Sequence, residues 1–281
     1  MMAPGADKVR NLRERTGAGI MDCKAALQAC DSDMEKAIDF LRKKGMASAA
    51  KRAGREAKEG LVGIRISGKD AILVEANCET DFVARTEDFK GLLSLAMQEA
   101  VSLGDKAADS DKLVHRVAEL SGKIGEKILV RRVKKIHSGG GVFFSYVHSN
   151  QKLGVVIELG VAKADSQKNV SFQELGKNLS MQVAASNPLC LTRHEVPSLA
   201  IEREKAIYRE EVKGKPDNIV EKILTGKLEK FYQSNCLIEQ PFIKDDKQSV
   251  KSLVEQVSKQ IGDSIQIKQF VRFQLGETIA S

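Results

Sequence analysis

The chain has 281 residues, 42% apolar and 30% charged, with a formal net charge of +7 and a pI near 9.1. This describes a globular protein of one to three domains that can bury a core without staples. No apolar run is long enough to span a bilayer, and Met1-Met2-Ala3-Pro4-Gly5 lacks a secretory apolar stretch, so the expectation is a cytoplasmic protein with no membrane contact.

Within residues 1–44, positions 7–44 read as a small helical module. Val9 and Leu12 mark a first helix, stopped by Gly17 and Gly19. Met21, Ala25, Ala26 and Leu27 give the 3–4 spacing of a second. Asp31-Ser32-Asp33 is a capping cluster before a third, whose stripe is Met34, Ala37, Ile38 and Leu41 and whose end is placed at Gly45. Three such helices resemble a ubiquitin-associated-like fold. Residues 45–59 are rich in Ala, Lys, Arg and Gly and read as a linker, in part helical.

Residues 60–140 then open a mixed unit. Leu61 to Ser67, a Ser-Gly-Lys-Asp turn and Ala71 to Ala76 read as a hairpin. Helices are expected near 87–102 and 111–123, the latter ending in Ile124-Gly125-Glu126, before a strand from Ile128 to Ile136. Between hairpin and helices lies Asn77-Cys78-Glu79-Thr80-Asp81-Phe82-Val83-Ala84-Arg85, a strand-to-helix corner of the kind that carries function. Local chemistry leaves two readings: an Asp81 cap with Phe82 folded onto the core, or Phe82 as a protruding wedge.

Residues 141–281 repeat the order. Val142 to His148 and Leu153 to Leu159 form a hairpin around Ser149-Asn150, and helices are expected near 171–186 and 249–260. Ile261-Gly262-Asp263 and a strand from Ile265 to Leu275 echo Ile124-Gly125-Glu126 and its strand. An insert at about 187–247 holds two helices, Val196 to Glu211 and Pro216 to Phe231, broken at Gly214 and seamed by Leu199, Ile207, Ile219, Ile223 and Leu224. The expected class is α+β: a three-helix module, then two duplicated units of antiparallel sheet with helices on one face, the second carrying a projecting helical hairpin.

Chemistry of bond-making is not visible. Ser138-Gly139-Gly140-Gly141 precedes a strand and reads as a flexible turn rather than a phosphate cradle, and no Ser-centred nucleophile elbow occurs. Asp245-Asp246 sit in a surface turn with Lys244 and Lys247. Cys23, Cys30, Cys78, Cys190 and Cys236 lack zinc or redox spacing and read as reduced, and His115, His137, His148 and His194 are scattered, so no metal, cofactor or enzyme is expected. Basic clusters occur at Arg42-Lys43-Lys44, Lys51-Arg52, Arg55, Lys58 and Arg131-Arg132-Val133-Lys134-Lys135. No aromatics interleave with them, which favours a solvated basic face suited to an acidic protein partner. A basic nucleic-acid-binding protein without enzymatic activity is the alternative.

The run Leu12-Arg13-Glu14-Arg15-Thr16-Gly17-Ala18-Gly19-Ile20-Met21-Asp22-Cys23-Lys24-Ala25-Ala26-Leu27 resembles the opening of the bacterial elongation factor Ts family, and Thr80 to Ala84 resembles its central signature. Lys123-Ile124-Gly125-Glu126, Gln240-Pro241-Phe242 and Phe270-Val271-Arg272-Phe273 agree in order. The resemblance implies a projecting coiled-coil arm and a guanine-nucleotide exchange factor that releases GDP from elongation factor Tu, binding no nucleotide itself. It implies contact through Thr80, Asp81, Phe82 and Val83 near the magnesium and phosphate site, and through Lys24, Ile124, Gly125, His148 and Ile243. On residue chemistry alone, Lys24 also reads as a solvated helix lysine, His148 as a strand end, Gly125 as a helix cap and Phe242 as core. Asn178 stands where family members often have His, and it is assigned no role.

Overall fold

The computed structural model describes residues 5–212 and 216–278; the expectations placed on Met1-Met2-Ala3-Pro4 and on Gly214 lie outside the described residues. Three helices come first, α1 (Ala6–Thr16), α2 (Ile20–Ala29) and α3 (Met34–Arg52). A hairpin, β1 (Glu59–Ser67) and β2 (Asp70–Cys78), leads through the one-turn helix α4 (Asp81–Ala84) to α5 (Glu87–Leu103), α6 (Asp111–Ile124) and β3 (Leu129–His137). A second hairpin, β4 (Val142–Val147) and β5 (Leu153–Val161), is followed by α7 (Val170–Ser186) and the pair α8 (Ser198–Glu211) and α9 (Asp217–Asn235). The ribbon β6 (Pro241–Phe242) and β7 (Asp245–Ser249), helix α10 (Val250–Ile261) and β8 (Ile265–Gln274) complete the order.

Two antiparallel sheets, ordered β1-β2-β3 and β4-β5-β8, place the chain in the α+β class. Successive side chains on a strand face opposite ways. In β2, Ile72, Val74 and Ala76 therefore face Phe89, Leu92, Leu113 and Leu120 of the helices, while Ala71 and Leu73 face the other sheet. Val62, Ala71, Leu73 and Ile136 share a core with Phe143, Val156 and Phe273, so the sheets pack on each other as well as on their helices. The second sheet buries Val155, Ile157 and Leu159 against Phe172, Leu175 and Leu179 of α7. Each fully buried side chain of this kind contributes about 1.5–3 kcal/mol.

A buried charge cluster joins the two sheets. Glu75 of β2, fully buried, accepts from Arg131 Nη1 (2.9 Å), Arg132 Nε (2.6 Å) and Gly276 N (2.8 Å). Glu277 in turn pairs with Arg132 (2.7 Å) and Arg272 (3.2 Å), and the Arg132 guanidinium lies 3.9 Å from the Phe273 ring centroid. Lys134 pairs with Asp105 and Lys135 with Asp70. The Arg131–Lys135 cluster is thus neutralised by internal partners, with only Lys134 left exposed among its cations.

Four other expectations need correction. Met21 and Ala25 point outward; the buried stripe of α2 is Cys23, Ala26 and Leu27, because that face meets Leu12 and Ala37. Helix α3 does not stop at Gly45 but runs to Arg52. Gly45 and Gly122 lie where α3 crosses α6: a Cβ on Gly122 would sit 3.3 Å from Gly45 Cα, so both positions are glycine to let the backbones approach. The Ser138 turn is organised, since the Ser138 hydroxyl accepts from Gly140 N (3.1 Å) and Gly141 N (2.7 Å) and donates to the buried Glu158 carboxylate (2.6 Å). In the α8–α9 hairpin the expected seam holds only in part: Leu224 is buried and Ile223 half-buried, with Val212 also buried, but Leu199, Ile207 and Ile219 are exposed.

Candidate functional site

The corner after β2 is built by a reciprocal clasp. Thr80 has extended backbone and caps α4, its Oγ1 accepting from Val83 N at 3.4 Å. The same hydroxyl donates to Glu126 Oε1 at 2.7 Å, and Glu126 Oε2 accepts from Glu79 N and Thr80 N, both at 3.1 Å. In return Lys127 N donates to Glu79 Oε1 at 2.6 Å. That bond, with the Arg55 guanidinium, holds the Glu79 carboxyl below its ordinary range. Gly125, at φ 88°, turns the chain at the end of α6, and Ser121 Oγ donates to Glu126 O at 2.6 Å to close the turn. Lys127 Nζ also donates to Ala53 O and Arg55 O, each at 2.7 Å, fastening the exit of α3 to the same point.

What the clasp holds out is Phe82, 79% exposed. Behind it Val83 and Ala84 are buried in the first core, so Val83 supports the corner from inside. A one-turn helix is unstable alone; its geometry here is imposed by Thr80, Glu126 and the Val83–Ala84 anchor. Asp81 pairs with Arg85 at 2.8 Å and does not cap. The cap is Thr80, and the ring is not folded onto the core. Beneath it, the Cys78 thiol donates to Thr80 O at 3.1 Å and is pushed up to about 12, first by burial and then by the Glu126 and Glu59 charges.

Of the other candidates, Gly125 is exposed beside the corner, and Ile124 is half-buried against the first core. His148 is exposed directly after β4, with Nδ1 2.8 Å from Tyr146 Oη. Its hairpin is tied toward the corner: Val62 N donates to Gln151 O (2.7 Å), and Lys152 pairs with Glu59 (2.5 Å), which lies across from Cys78. Ile243 stands elsewhere, exposed at the β6–β7 turn, its N–H donating to Gln182 Oε1 of α7 (2.8 Å). Phe242 beside it is core, and Lys244 Nζ donates to Asn178 Oδ1. Lys24 is exposed on α2, next to exposed Met21 and near exposed Ile20.

Glu79 and Glu126 were not singled out by the sequence, although the repeated Ile-Gly-acid triplet signalled one of them. Asp263, the acid of the second triplet, accepts from Lys163 N (2.8 Å) and Ala162 N (3.3 Å), just beyond β5. Both acids therefore bind the backbone where the middle strand of their sheet ends. Only the first such corner presents an exposed phenylalanine. Among the described residues no group of His, Cys, Asp and Glu is placed to hold a metal, and no helix is long and apolar enough to cross a membrane.

Residues 79–277 match the family model described as elongation factor TS. The whole chain aligns with elongation factor Ts of Nitratidesulfovibrio vulgaris (strain DP4), 44% identical over 285 residues and covering 98% of that protein. Elongation factor Ts of Prosthecochloris aestuarii is 42% identical, with 96% of this chain and 98% of the relative covered. That of Clostridium botulinum (strain 657 / Type Ba4) is 43% identical, with 98% and 93% covered.

Proposed function

The chain belongs to the elongation factor Ts family and is a translation elongation factor, and we propose that it binds elongation factor Tu in its GDP form and accelerates GDP release. The observation that carries this reading is Phe82, a large apolar ring held out in solvent by a clasp of charged and backbone groups. Exposed apolar groups on rigid supports mark protein contacts. Inserted between helices of the GTPase near its magnesium and phosphate site, Asp81 and Phe82 favour a form with weakened nucleotide affinity. Linkage then requires bound nucleotide to weaken this factor's binding by the same ratio. No bond is made or broken in the process.

Thr80 positions the corner and Val83 anchors it, while Gly125, Ile124 and His148 extend the same contact face. Lys24, with Ile20 and Met21, forms a contact on the helical module, and Ile243 one on the far ribbon. The fold reads as a ubiquitin-associated-like module (residues 1–44), a connection (45–59) and two copies of one sheet-and-helix unit (60–140 and 141–281). The matched Glu126 and Asp263 contacts support that duplication. The helical hairpin at about 187–247 is an arm inserted in the second copy. The nucleic-acid alternative is less well supported, because Arg131, Arg132, Lys134, Lys135 and Arg55 are already paired within the molecule.

Stopped-flow release of a fluorescent GDP from elongation factor Tu tests the proposal. Acceleration that saturates with this protein is expected, and an unchanged release rate at saturating protein overturns it. Binding to nucleic acid that collapses steeply with added salt would favour the alternative.

A further inference from the structure

Cys190 and Cys236 are remote in sequence but meet where the α8–α9 arm joins the body. They form an isolated parallel β-bridge. Leu237 N donates to Cys190 O at 2.9 Å, and Leu189 N and Cys190 N donate to Asn235 O at 2.8 and 3.4 Å. The two sulfurs are 3.8 Å apart, in a small buried cluster with Val196. Bridged backbones lie about 4.7–4.9 Å apart. That falls inside the Cα separation of about 4.4–6.8 Å that a disulfide requires. At such a spacing, side-chain rotation can bring sulfurs that are 3.8 Å apart to bonding distance. The other thiols have different neighbours: Cys23 donates toward Ala18 O, and Cys78 to Thr80 O.

We propose that Cys190 and Cys236 form a dithiol site that a low-molecular-weight disulfide converts to an intramolecular disulfide, fastening both feet of the arm. Cys190, 9% exposed beside the exposed Leu189, is the more accessible of the two and meets the reagent, whereas Cys236 is wholly buried and resolves. The Cys190 thiolate attacks one reagent sulfur; the reagent S–S bond breaks, and its other half leaves as a thiolate that takes up a proton. The Cys236 thiolate then attacks the Cys190 sulfur of this mixed disulfide. The protein S–S bond forms, and the second reagent thiol departs. The two protein sulfurs lose two electrons in all, and the reagent gains them. Burial raises both thiols, Cys236 to about 12, so the reaction is slow at neutral pH and quickens as pH rises. The product closes residues 191–235 into a covalent loop, which limits how far α8 and α9 can detach at their base.

The full chain is incubated with bis(2-hydroxyethyl) disulfide in mildly alkaline buffer, quenched with acid, alkylated in denaturant and mapped by mass spectrometry. The expected product has lost two hydrogens, links the Cys190 and Cys236 peptides, and regains two alkylation sites on reduction. Amide exchange at the feet of α8 and α9 should slow by about tenfold or more. Cys236→Ala should instead retain the reagent as a mixed disulfide on Cys190. Recovery of both cysteines as thiols, or linkage of Cys190 to Cys23, Cys30 or Cys78, overturns the proposal. None of these readouts depends on nucleotide exchange, so their failure is separate from failure of the proposed function.

Discussion

At the scale of single residues, the corner separates stability from contact. Phe82 buries little, so Phe82→Ala should leave stability within about 0.5 kcal/mol while reducing stimulated GDP release by about tenfold or more, the loss typical of a truncated anchor. A thermal melt and a release assay on one preparation check both halves; a badly destabilised variant that still stimulates fully would remove the wedge. Asp81→Ala loses only an exposed ion pair, worth about 0.2–0.5 kcal/mol. Thr80→Ala should cost about 0.5–2 kcal/mol as a lost cap, because the cap oxygen belongs to Thr80. Glu79 adds a pH signature. Its folded carboxyl lies below the ordinary 4.5, so its contribution to stability is complete above that value and is lost as pH falls through the lowered one. In an acid titration followed by NMR, the Lys127 amide should move with a midpoint below 4.5; a midpoint at or above 4.5 would mean the clasp does not engage the ionised carboxylate.

At the scale of elements, the α3–α6 crossing decides how the helical module relates to the body. Gly45→Val forces a side chain toward Ala118 O, 3.4 Å from where its Cβ would stand, and should cost about 1–3 kcal/mol by overpacking, measured as a lowered denaturation midpoint. Deleting residues 1–44 should weaken partner binding yet spare this crossing, whereas deleting 1–52 should also lower the melting temperature by uncovering Ala118 and Gly122. Most elements were legible, because apolar alternation and 3–4 spacing mark β1, β2, β4, β5, α5, α6 and α10 directly. Helix α3 beyond Gly45 was not, since Met46-Ala47-Ser48-Ala49-Ala50 carries little large apolar surface. Yet alanine favours helix and small residues suit close crossings. The arm seam is legible at Ile223 and Leu224 but not at Leu199, Ile207 and Ile219, because more than one stripe fits the 3–4 spacing and tertiary rotation selects between them. At the corner, local chemistry leaves a folded-back ring open. What excludes it is Glu126, remote in sequence, which no local pattern ties to Thr80.

At the scale of the whole molecule, the sheet-to-sheet contact depends on a buried carboxylate. Glu75→Ala removes the buried carboxylate shared by Arg131 and Arg132, leaves Arg132 with Glu277 alone, and frees Gly276 N. Breaking a buried pair from one side typically costs about 3–5 kcal/mol. Chemical denaturation should show this loss, and amide exchange should show faster opening in both sheets; a change confined to the first sheet would mean the cluster does not join them. The strand order β4-β5-β8 carries a further consequence. Strand β8 follows β5 only after α7, the arm and α10, roughly a hundred residues of intervening chain. On the ribosome, a nascent chain therefore presents one edge of β5, with its bare backbone donors and acceptors, for several seconds of translation at about 5–20 residues per second. The arm is made during that interval and delays closure. The factor that serves polypeptide synthesis is thus itself open to mispairing along β5 until late in its own synthesis.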